Sequence, residues 1–292
     1  MKASFLNRLV FSPGQILGQE DSVIIPLLKE LNIPHAISIG PKALNMAEAF
    51  EKSVEALISR EEEFLIKNRL HGLKNAIISG VPSPDQLRIT SVTPEDSHRL
   101  KSGTKIQTDC LFTTSSEIVL IHKPADCPTA IIKATRKDGS DILGLIHLGR
   151  PQVNDHRTEQ ALDYLIQAYR CKPNDVFIGI SPSIGPNYYW IKQVDQDEKI
   201  IIDRAYWGAF AYDDEVNKVK IIRIDVLKKI LSIFTAYGVP AENIQAYGHD
   251  DMVDTYTLAA LTTPLSFSHR FASNTEQSER NGRIMVAAQL PL

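Results

Sequence analysis

A cysteine and a histidine, Cys127 and His147, are the residues of this sequence best suited to chemistry. Cys127 stands at the start of one predicted strand, and His147 stands 20 residues later at the end of the next. The segment 137–140, Lys-Asp-Gly-Ser, is typical of a tight turn, so we expect the two strands to pair and bring both residues together. A thiol beside an imidazole can act as a nucleophile, or the two can bind zinc with a third group. A buried thiol next to a hydrogen-bonded histidine, without chemistry, is the structural alternative.

Two further segments have residue types suited to a polar ligand. The segment 181–186, Ser-Pro-Ser-Ile-Gly-Pro, contains Ser183 and is stiffened by two prolines and a glycine. Such a turn can hold backbone amides toward an anion, although an ordinary tight turn has the same composition. Near the C-terminus, Arg270 and Arg283 add two cationic side chains that either bind a ligand or belong to a solvated surface.

Several catalytic classes are disfavoured because their motifs are missing. The sequence contains no His-Glu-x-x-His zinc motif, no Gly-x-Ser-x-Gly, no P-loop and no Gly-x-Gly-x-x-Gly. Its 3 cysteines, an odd number in a long chain, argue against a disulfide framework. Each of Cys110, Cys127 and Cys171 is therefore a buried thiol, a ligand or a nucleophile.

The composition points to a globular protein that acts on a small molecule. The 292 residues are 43% hydrophobic and 23% charged, with a net charge of −3 and no long block of like charges. This balance offers no binding surface for nucleic acid or anionic lipid. No apolar run approaches the roughly 18 residues that span a bilayer, and residues 1–19 lack the apolar centre of a signal peptide. We therefore expect a cytoplasmic protein without a membrane segment.

Apolar periodicity predicts an α+β fold, in which a layered mixed β-sheet core is flanked by helices. The predicted helices are 20–31, 44–70, 157–169 and 224–237. The predicted strands are 86–92, 117–122, 129–134, 143–147, 175–180 and 283–290. Turns of hairpin length join several strands, so a mixed sheet is favoured over a purely parallel one. Without a repeat or a clear linker, residues 1–292 are expected to form one domain.

A series of short motifs follows one another along the chain in a distinctive order. They are Leu44-Asn45, Asn68-Arg69, Thr108-Asp109-Cys110 with Thr113, Ala125-Asp126-Cys127, Ile146-His147-Leu148-Gly149, the 181–186 turn, Asp254-Thr255-Tyr256, Phe267-Ser268-His269-Arg270 and Gly282-Arg283. This series resembles the laccase-domain family, also called the multicopper polyphenol oxidase or peptidoglycan-editing-factor family, and more recently a purine nucleoside phosphorylase and adenosine deaminase family. The resemblance begins near Leu44, so residues 1–43 are expected to be a divergent N-terminal segment of one laccase-like domain.

The resemblance implies a metal or catalytic site made of two histidines and one cysteine. Cys127 and His147 occupy two of these three positions. Counting back from Asp109 by the family's interval places the first histidine near residues 89–92, which contain none, and Ser91 is the expected occupant. Zinc on two protein ligands is poorly held, because even open catalytic sites normally supply three. The resemblance therefore implies zinc at Cys127 and His147, but with doubtful occupancy.

A substitute third ligand would have to come from elsewhere in the chain. His98 and His122 are the candidates by sequence proximity, and each is also compatible with an ordinary surface or core histidine. Copper oxidase chemistry is not favoured, despite the family name. Blue-copper sites use two histidines, one cysteine and usually an axial methionine, and further coppers need many more histidines than these segments contain.

Two functions follow from the resemblance and the altered site. The first is an enzyme in which Cys127 is a ligand or nucleophile and His147 is a base or ligand, acting on a nucleoside or on an amide-bearing cell-wall precursor. The expected substrate-binding residues are Ser91, Ser183, Arg270 and Arg283. The alternative is a non-catalytic binding or regulatory module that has lost the first metal-ligand histidine.

Overall fold

A computed structural model describes residues 22–39, 45–46, 53–80, 89–99, 105–193, 203–247, 255, 268–275, 277 and 281–292. The helices in these ranges are α1 (Pro26–Glu30), α2 (Val54–Lys67), α3 (Pro94–Arg99), α4 (Arg150–Asn154), α5 (Arg157–Gln167), α6 (Arg204–Trp207), α7 (Val226–Ala236) and α8 (His269–Thr275). The strands are β1 (His35–Ile37), β2 (Ala76–Gly80), β3 (Ile89–Ser91), β4 (Lys105–Gln107), β5 (Cys110–Thr113), β6 (Val119–His122), β7 (Thr129–Thr135), β8 (Asp141–His147), β9 (Val176–Ile180), β10 (Trp190–Lys192), β11 (Ala211–Val216), β12 (Val219–Ile224), β13 (Ile244–Ala246) and β14 (Val286–Gln289). Each of these helices is too short or too polar to cross a bilayer.

The described strands form three sheets with mixed directions. A six-stranded sheet has the order β13-β9-β7-β8-β5-β3, and a five-stranded sheet has the order β1-β14-β6-β2-β4. Antiparallel pairs occupy the centre of the six-stranded sheet, while its two outer pairs, β13 with β9 and β3 with β5, are parallel. A small antiparallel sheet, β10-β12-β11, adds a hairpin. The α+β class and the mixed sheet expected from the sequence are confirmed.

Alternating side chains on the central strands build two apolar layers. Ile131 and Leu145 of the six-stranded sheet pack with Leu120 of the five-stranded sheet, which fills the space between the sheets. Their neighbours Ile132 and Ile146 face the other way and pack under α5 and α7. Because consecutive strand residues point to opposite faces, a near-continuous apolar run serves both layers.

The hairpin β7–β8 sets the position of the two candidate chemical residues. Its tip turns at Gly139, whose φ of +84° suits glycine, and Asp138 accepts hydrogen bonds from the backbone and hydroxyl of Ser140. The register places Thr129 directly opposite His147 at the open end. The pairing predicted from the turn composition is therefore confirmed.

The boundaries differ from the predictions where tertiary pairing replaces helical periodicity. In the predicted helix 20–31, Val23 instead forms a β-bridge with Ile37, and the helix begins after Ile25 with Pro26 at its first position. The predicted strand 86–92 contains the described strand Ile89–Ser91. Eight of the described strands were not predicted: β1, β2, β4, β5, β10, β11, β12 and β13. β1, β2, β4 and β5 are short and pair with partners far along the chain, and β11 is polar and mostly exposed, so it lacks the apolar pattern of a strand.

Candidate active site

Cys127 and His147 meet at the open end of the hairpin. The amide of Leu148 donates to the carbonyl of Pro128 at 2.9 Å, which extends the ladder one residue beyond the Thr129–His147 pair. This extension holds the chain carrying Cys127 against the end of β8, and Cys127 hydrogen-bonds to the His147 ring. The approach expected from the sequence is present.

Asp109 lies on the other side of the His147 ring. Its backbone carbonyl accepts from the amide of His147 at 2.8 Å, and its Oδ1 lies 3.6 Å from His147 Nδ1. Gln152 donates from Nε2 to the same Oδ1 at 3.1 Å, and Nε of Arg157 lies 3.9 Å from Oδ2. Asp109 is therefore a buried carboxyl group surrounded by donors.

The charge of His147 follows from these two neighbours. Burial lowers the pKa of His147, but hydrogen bonds to Asp109 and Cys127, together with their electrostatic interaction, outweigh burial and raise the pKa to about 9. The ring is therefore protonated at neutral pH. A protonated imidazole is a proton donor and an anion partner rather than a base.

A second imidazole, His122, faces the same space from the end of β6. Its ring centroid lies 4.6 Å from that of His147, and its Nδ1 is 2.6 Å from Oγ1 of Thr129. Burial, and then the charges of His147 and Arg283, place the pKa of His122 well below its ordinary value. His122 is therefore neutral beside a charged histidine.

These residues open onto a cavity of about 340 Å³. Its lining residues are His122, Lys123, Pro124, Ala125, Asp126, Cys127, Pro128, His147, Gly149, Arg150, Ile184, Tyr189, Val226, His269, Arg270 and Arg283. Four of them carry cationic side chains, and Asp126 is the single acidic residue among them. Lys123 is paired with Glu61, and the Arg270 guanidinium lies 5.3 Å from the centroid of the Tyr189 ring. The cavity is therefore electropositive.

Asp126 connects three separate segments around the cavity. Its carbonyl accepts from the amide of Ile184, its Oδ1 accepts from the hydroxyl of Thr255 at 2.8 Å, and its Oδ2 accepts from the amide of Arg270 at 2.9 Å. The Thr255 amide in turn donates to the carbonyl of Ser183. The carboxylate next to Cys127 thus holds the 181–186 turn and the start of α8 in place.

The predicted binding residues are brought together only in part. Arg270 and Arg283 line the cavity. Ser183 is buried in the turn behind it, where the neighbouring Ile184 supplies the lining side chain. His98 lies within the helix Pro94–Arg99 and is not among the residues that line the cavity.

The placement of Ser91 needs correction. Ser91 pairs with Phe112 in the parallel ladder, and its hydroxyl contacts that of Tyr169, on the face covered by α5. His147 points to the opposite face, toward the five-stranded sheet. The prediction of Ser91 depends on spacing across a stretch without an intact motif, and an error of one residue moves a side chain to the other face of the strand. Ser91 is not among the residues that line the cavity.

The described residues do not fit a metal site. Among them, no group of three or more His, Cys, Asp or Glu side chains is arranged to hold an ion. Thr129 engages His122 Nδ1, while Asp109 and Cys127 flank the two nitrogens of His147. Zinc ligation by Cys127 and His147 with His122 as the third ligand therefore requires a different arrangement of these side chains.

Sequence reasoning missed three residues of this site. Asp109 was noted within a motif but received no role, because the strand that follows it was not recognised. Gln152 and Arg150 lie in the short helix α4 directly after His147 and carried no signal of their own. A helix that begins three residues after a strand-end histidine is the feature that points to them, since its first turn must pack beside that histidine.

Comparison with known proteins shows the family and the fold of this chain. Residues 26–290 match the family described as multi-copper polyphenol oxidoreductase laccase. The fold is similar to YfiH of Bacillus licheniformis (TM-score 0.70, 18% identity, 94% of this chain and 98% of that chain). It is also similar to YlmD of Geobacillus stearothermophilus (TM-score 0.67, 18% identity, 88% of this chain and 92% of that chain). A third similar structure is a Neisseria meningitidis protein (TM-score 0.59, 14% identity, 89% of this chain and 95% of that chain). No curated protein matches the sequence. The family match covers residues 26–290, which is most of the sequence, and shows that this chain belongs to the multi-copper polyphenol oxidoreductase laccase family.

Proposed function

We propose that this protein cleaves a nucleoside by phosphorolysis, with Cys127 and His147 as its catalytic pair. One observation carries the proposal: three arginines, Arg150, Arg270 and Arg283, line the same cavity as this pair. A cavity with excess positive charge favours an anionic reactant, and inorganic phosphate is the anion that a nucleoside phosphorylase uses. Arg150, at the start of α4, adds its charge to the lining directly after the strand that carries His147.

The charges of the site suit the two halves of this reaction. A phosphate oxygen forms a bond to C1′ of the pentose, and the bond between C1′ and the base nitrogen breaks with its electron pair passing to the base. His147, protonated at neutral pH, donates a proton to the departing base. The products are the free base and a pentose 1-phosphate. The proton of the attacking hydrogen phosphate is released, and His147 regains the proton it donated, so atoms and charges balance.

Cys127 has a supporting and orienting role in this proposal. Its hydrogen bond to His147 favours the charged ring and fixes the direction of the proton that is transferred. Hydrolytic deamination or amide cleavage, the related possibilities within the family resemblance, would use water instead of phosphate. An amidase would also form a covalent bond between the Cys127 sulfur and the substrate carbonyl carbon.

The experiment supplies purine nucleosides with and without phosphate and follows pentose 1-phosphate by ³¹P NMR. We expect product only when phosphate is present. His147→Gln should reduce turnover by roughly 10²–10⁴-fold, the range for a lost general acid, and Cys127→Ala should also reduce it. Cys171→Ala removes a thiol outside the cavity and should leave turnover unchanged.

The same assay distinguishes the alternatives. Ammonia release without phosphate indicates deamination, and covalent trapping of Cys127 by an amide substrate indicates an amidase. Nucleoside binding by calorimetry without turnover of any of these substrates indicates the non-catalytic module. Each of these outcomes contradicts the phosphorylase proposal.

A further inference from the structure

Two buried polar side chains stand behind His147, outside the lining of the cavity. Asp109 is 3% exposed and Gln152 is 9% exposed, and neither is among the residues that line the cavity. Burying such groups is unfavourable unless they are well paired, so their presence at this place calls for a reason.

The amide of Gln152 has its orientation determined by Asp109. A carboxylate oxygen accepts hydrogen bonds, so the NH₂ end of the amide points to Oδ1 of Asp109 and the carbonyl end points away. This places Oε1 beside Gly149. A Cβ on Gly149 would lie 2.8 Å from that oxygen, 2.8 Å from Sγ of Cys127 and 3.2 Å from Nε2 of His147. The three polar atoms therefore surround one small space, which only a glycine leaves open.

The ring of His147 has its orientation determined in the same way. Its Nδ1 lies 3.6 Å from Oδ1 of Asp109, while Nε2 is on the side of Cys127. The backbone carbonyl of Asp109 also accepts a hydrogen bond from the backbone amide of His147. Asp109 therefore contacts both the backbone and the ring of His147. With Nδ1 directed to the carboxylate, Nε2 is the nitrogen that meets the thiol and the cavity.

We propose that Asp109 and Gln152 are positioning residues for His147: Gln152 holds the carboxylate of Asp109, and Asp109 holds the imidazole with Nε2 toward Cys127. This inference rests on the proposed function, because it assumes that His147 acts on the substrate. The arrangement orients His147 through a carboxylate and an amide of this chain and requires no third imidazole. It supplies the geometric precision on which proton transfer depends.

The test compares Asp109→Asn and Gln152→Met with Asp155→Asn. The first removes the charge at constant shape, and the second removes the amide at similar size. Asp155 is an exposed carboxylate that also lies 3.9 Å from Arg157, so Asp155→Asn is a matched control for charge loss beside that arginine. The readouts are the NMR titration midpoint of His147 in the free protein, and kcat and KM for phosphorolysis.

Asp109→Asn should lower the His147 midpoint by about one pH unit or more, since an adjacent opposite charge shifts a pKa by that amount. Its kcat should fall about 100-fold with KM nearly unchanged. Gln152→Met should lower the His147 midpoint by a smaller amount and lower kcat about tenfold. Asp155→Asn should change neither the midpoint nor kcat.

Unchanged His147 midpoints in Asp109→Asn and Gln152→Met would overturn this inference. If Asp109→Asn fails to fold, as judged by its thermal transition, Gln152→Met decides the question alone. If the unmodified protein shows no phosphorolysis while the midpoints shift as expected, the positioning role stands and the proposed reaction fails.

Discussion

His122 and His147 face each other with ring centroids 4.6 Å apart, yet at neutral pH His147 is protonated and His122 is neutral. The difference arises from their partners. A carboxyl group and a thiol stabilise the charged form of His147. His122 instead contacts the hydroxyl of Thr129, and burial and the nearby cations keep it neutral. The two imidazoles therefore contribute to folding stability with opposite dependence on pH.

On the acid side, we expect His122 to destabilise the fold. The pKa of His122 is well below 6.5 in the folded protein. As the pH falls below about 6.5, His122 therefore binds a proton in the unfolded chain but not in the folded chain, which favours unfolding. Urea unfolding at pH 7 and pH 5 measures the loss of stability. His122→Gln should reduce that loss; an equal loss in both proteins would contradict the neutral state of His122. His35, whose pKa burial also lowers, contributes equally to both.

On the alkaline side, we expect His147 to contribute stability that disappears as the pH rises. Because its folded pKa is about 9 against 6.5 unfolded, this contribution is complete below about pH 6.5 and is lost through pH 9. The shift corresponds to about 3 kcal/mol. Unfolding free energies at pH 6.5 and pH 9.5 should differ less in His147→Gln than in the unmodified protein, and identical differences would show that the ring is not held protonated.

Gly149→Ala should abolish activity with little change in backbone conformation. The φ of Gly149 is −65°, which any residue adopts, so the effect comes from the added Cβ, which would collide with Cys127 Sγ and the Gln152 oxygen. Gly139→Ala is the control, because it changes the backbone preference without a collision. The φ of Gly139 is +84°, and a Cβ added there would meet no atom within 4 Å. The control should lose about 1 kcal/mol of stability and keep its activity. Full activity of Gly149→Ala would mean that the three polar atoms are not needed as placed.

Cys127 should react with iodoacetamide faster than the other two cysteines. Burial raises the pKa of Cys171 to about 11, and burial raises that of Cys110 further, so both thiols are protonated and shielded at neutral pH. Cys127 opens to the cavity and hydrogen-bonds to His147. Peptide mass mapping after brief labelling measures the three rates. Equal slow labelling of Cys127 and Cys171 would count against a functional pair.

Ser91→His should leave the zinc content of the purified protein at the level of the unmodified chain. The new imidazole would lie against Tyr164 and Tyr169 on the helix-covered face, away from Cys127 and His147. Atomic absorption on the dialysed variant measures the metal. A gain of one zinc per chain would restore the assignment of position 91 to the missing ligand.

The pairing of Cys127 with His147 was predictable because both flank one hairpin whose turn residues are recognisable. Asp109 was not, because it reaches His147 through β5, whose antiparallel partner β8 begins far along the chain. Ser91 shows the limit of spacing arguments in strands. Its neighbour Thr90 shares the inter-sheet side with Leu111, so a count wrong by one residue selects the wrong face.

The central place of the hairpin β7–β8 also determines how the site can lose its structure. β7 is hydrogen-bonded on both sides, to β8 and β9, and β8 is bonded to β7 and β5. Amide protons on such strands exchange with solvent mainly through global unfolding rather than local opening. We therefore expect the strands that end beside Cys127 and His147 to stay paired until the sheet unfolds, and thermal inactivation should follow the same cooperative transition as the slowest-exchanging amides.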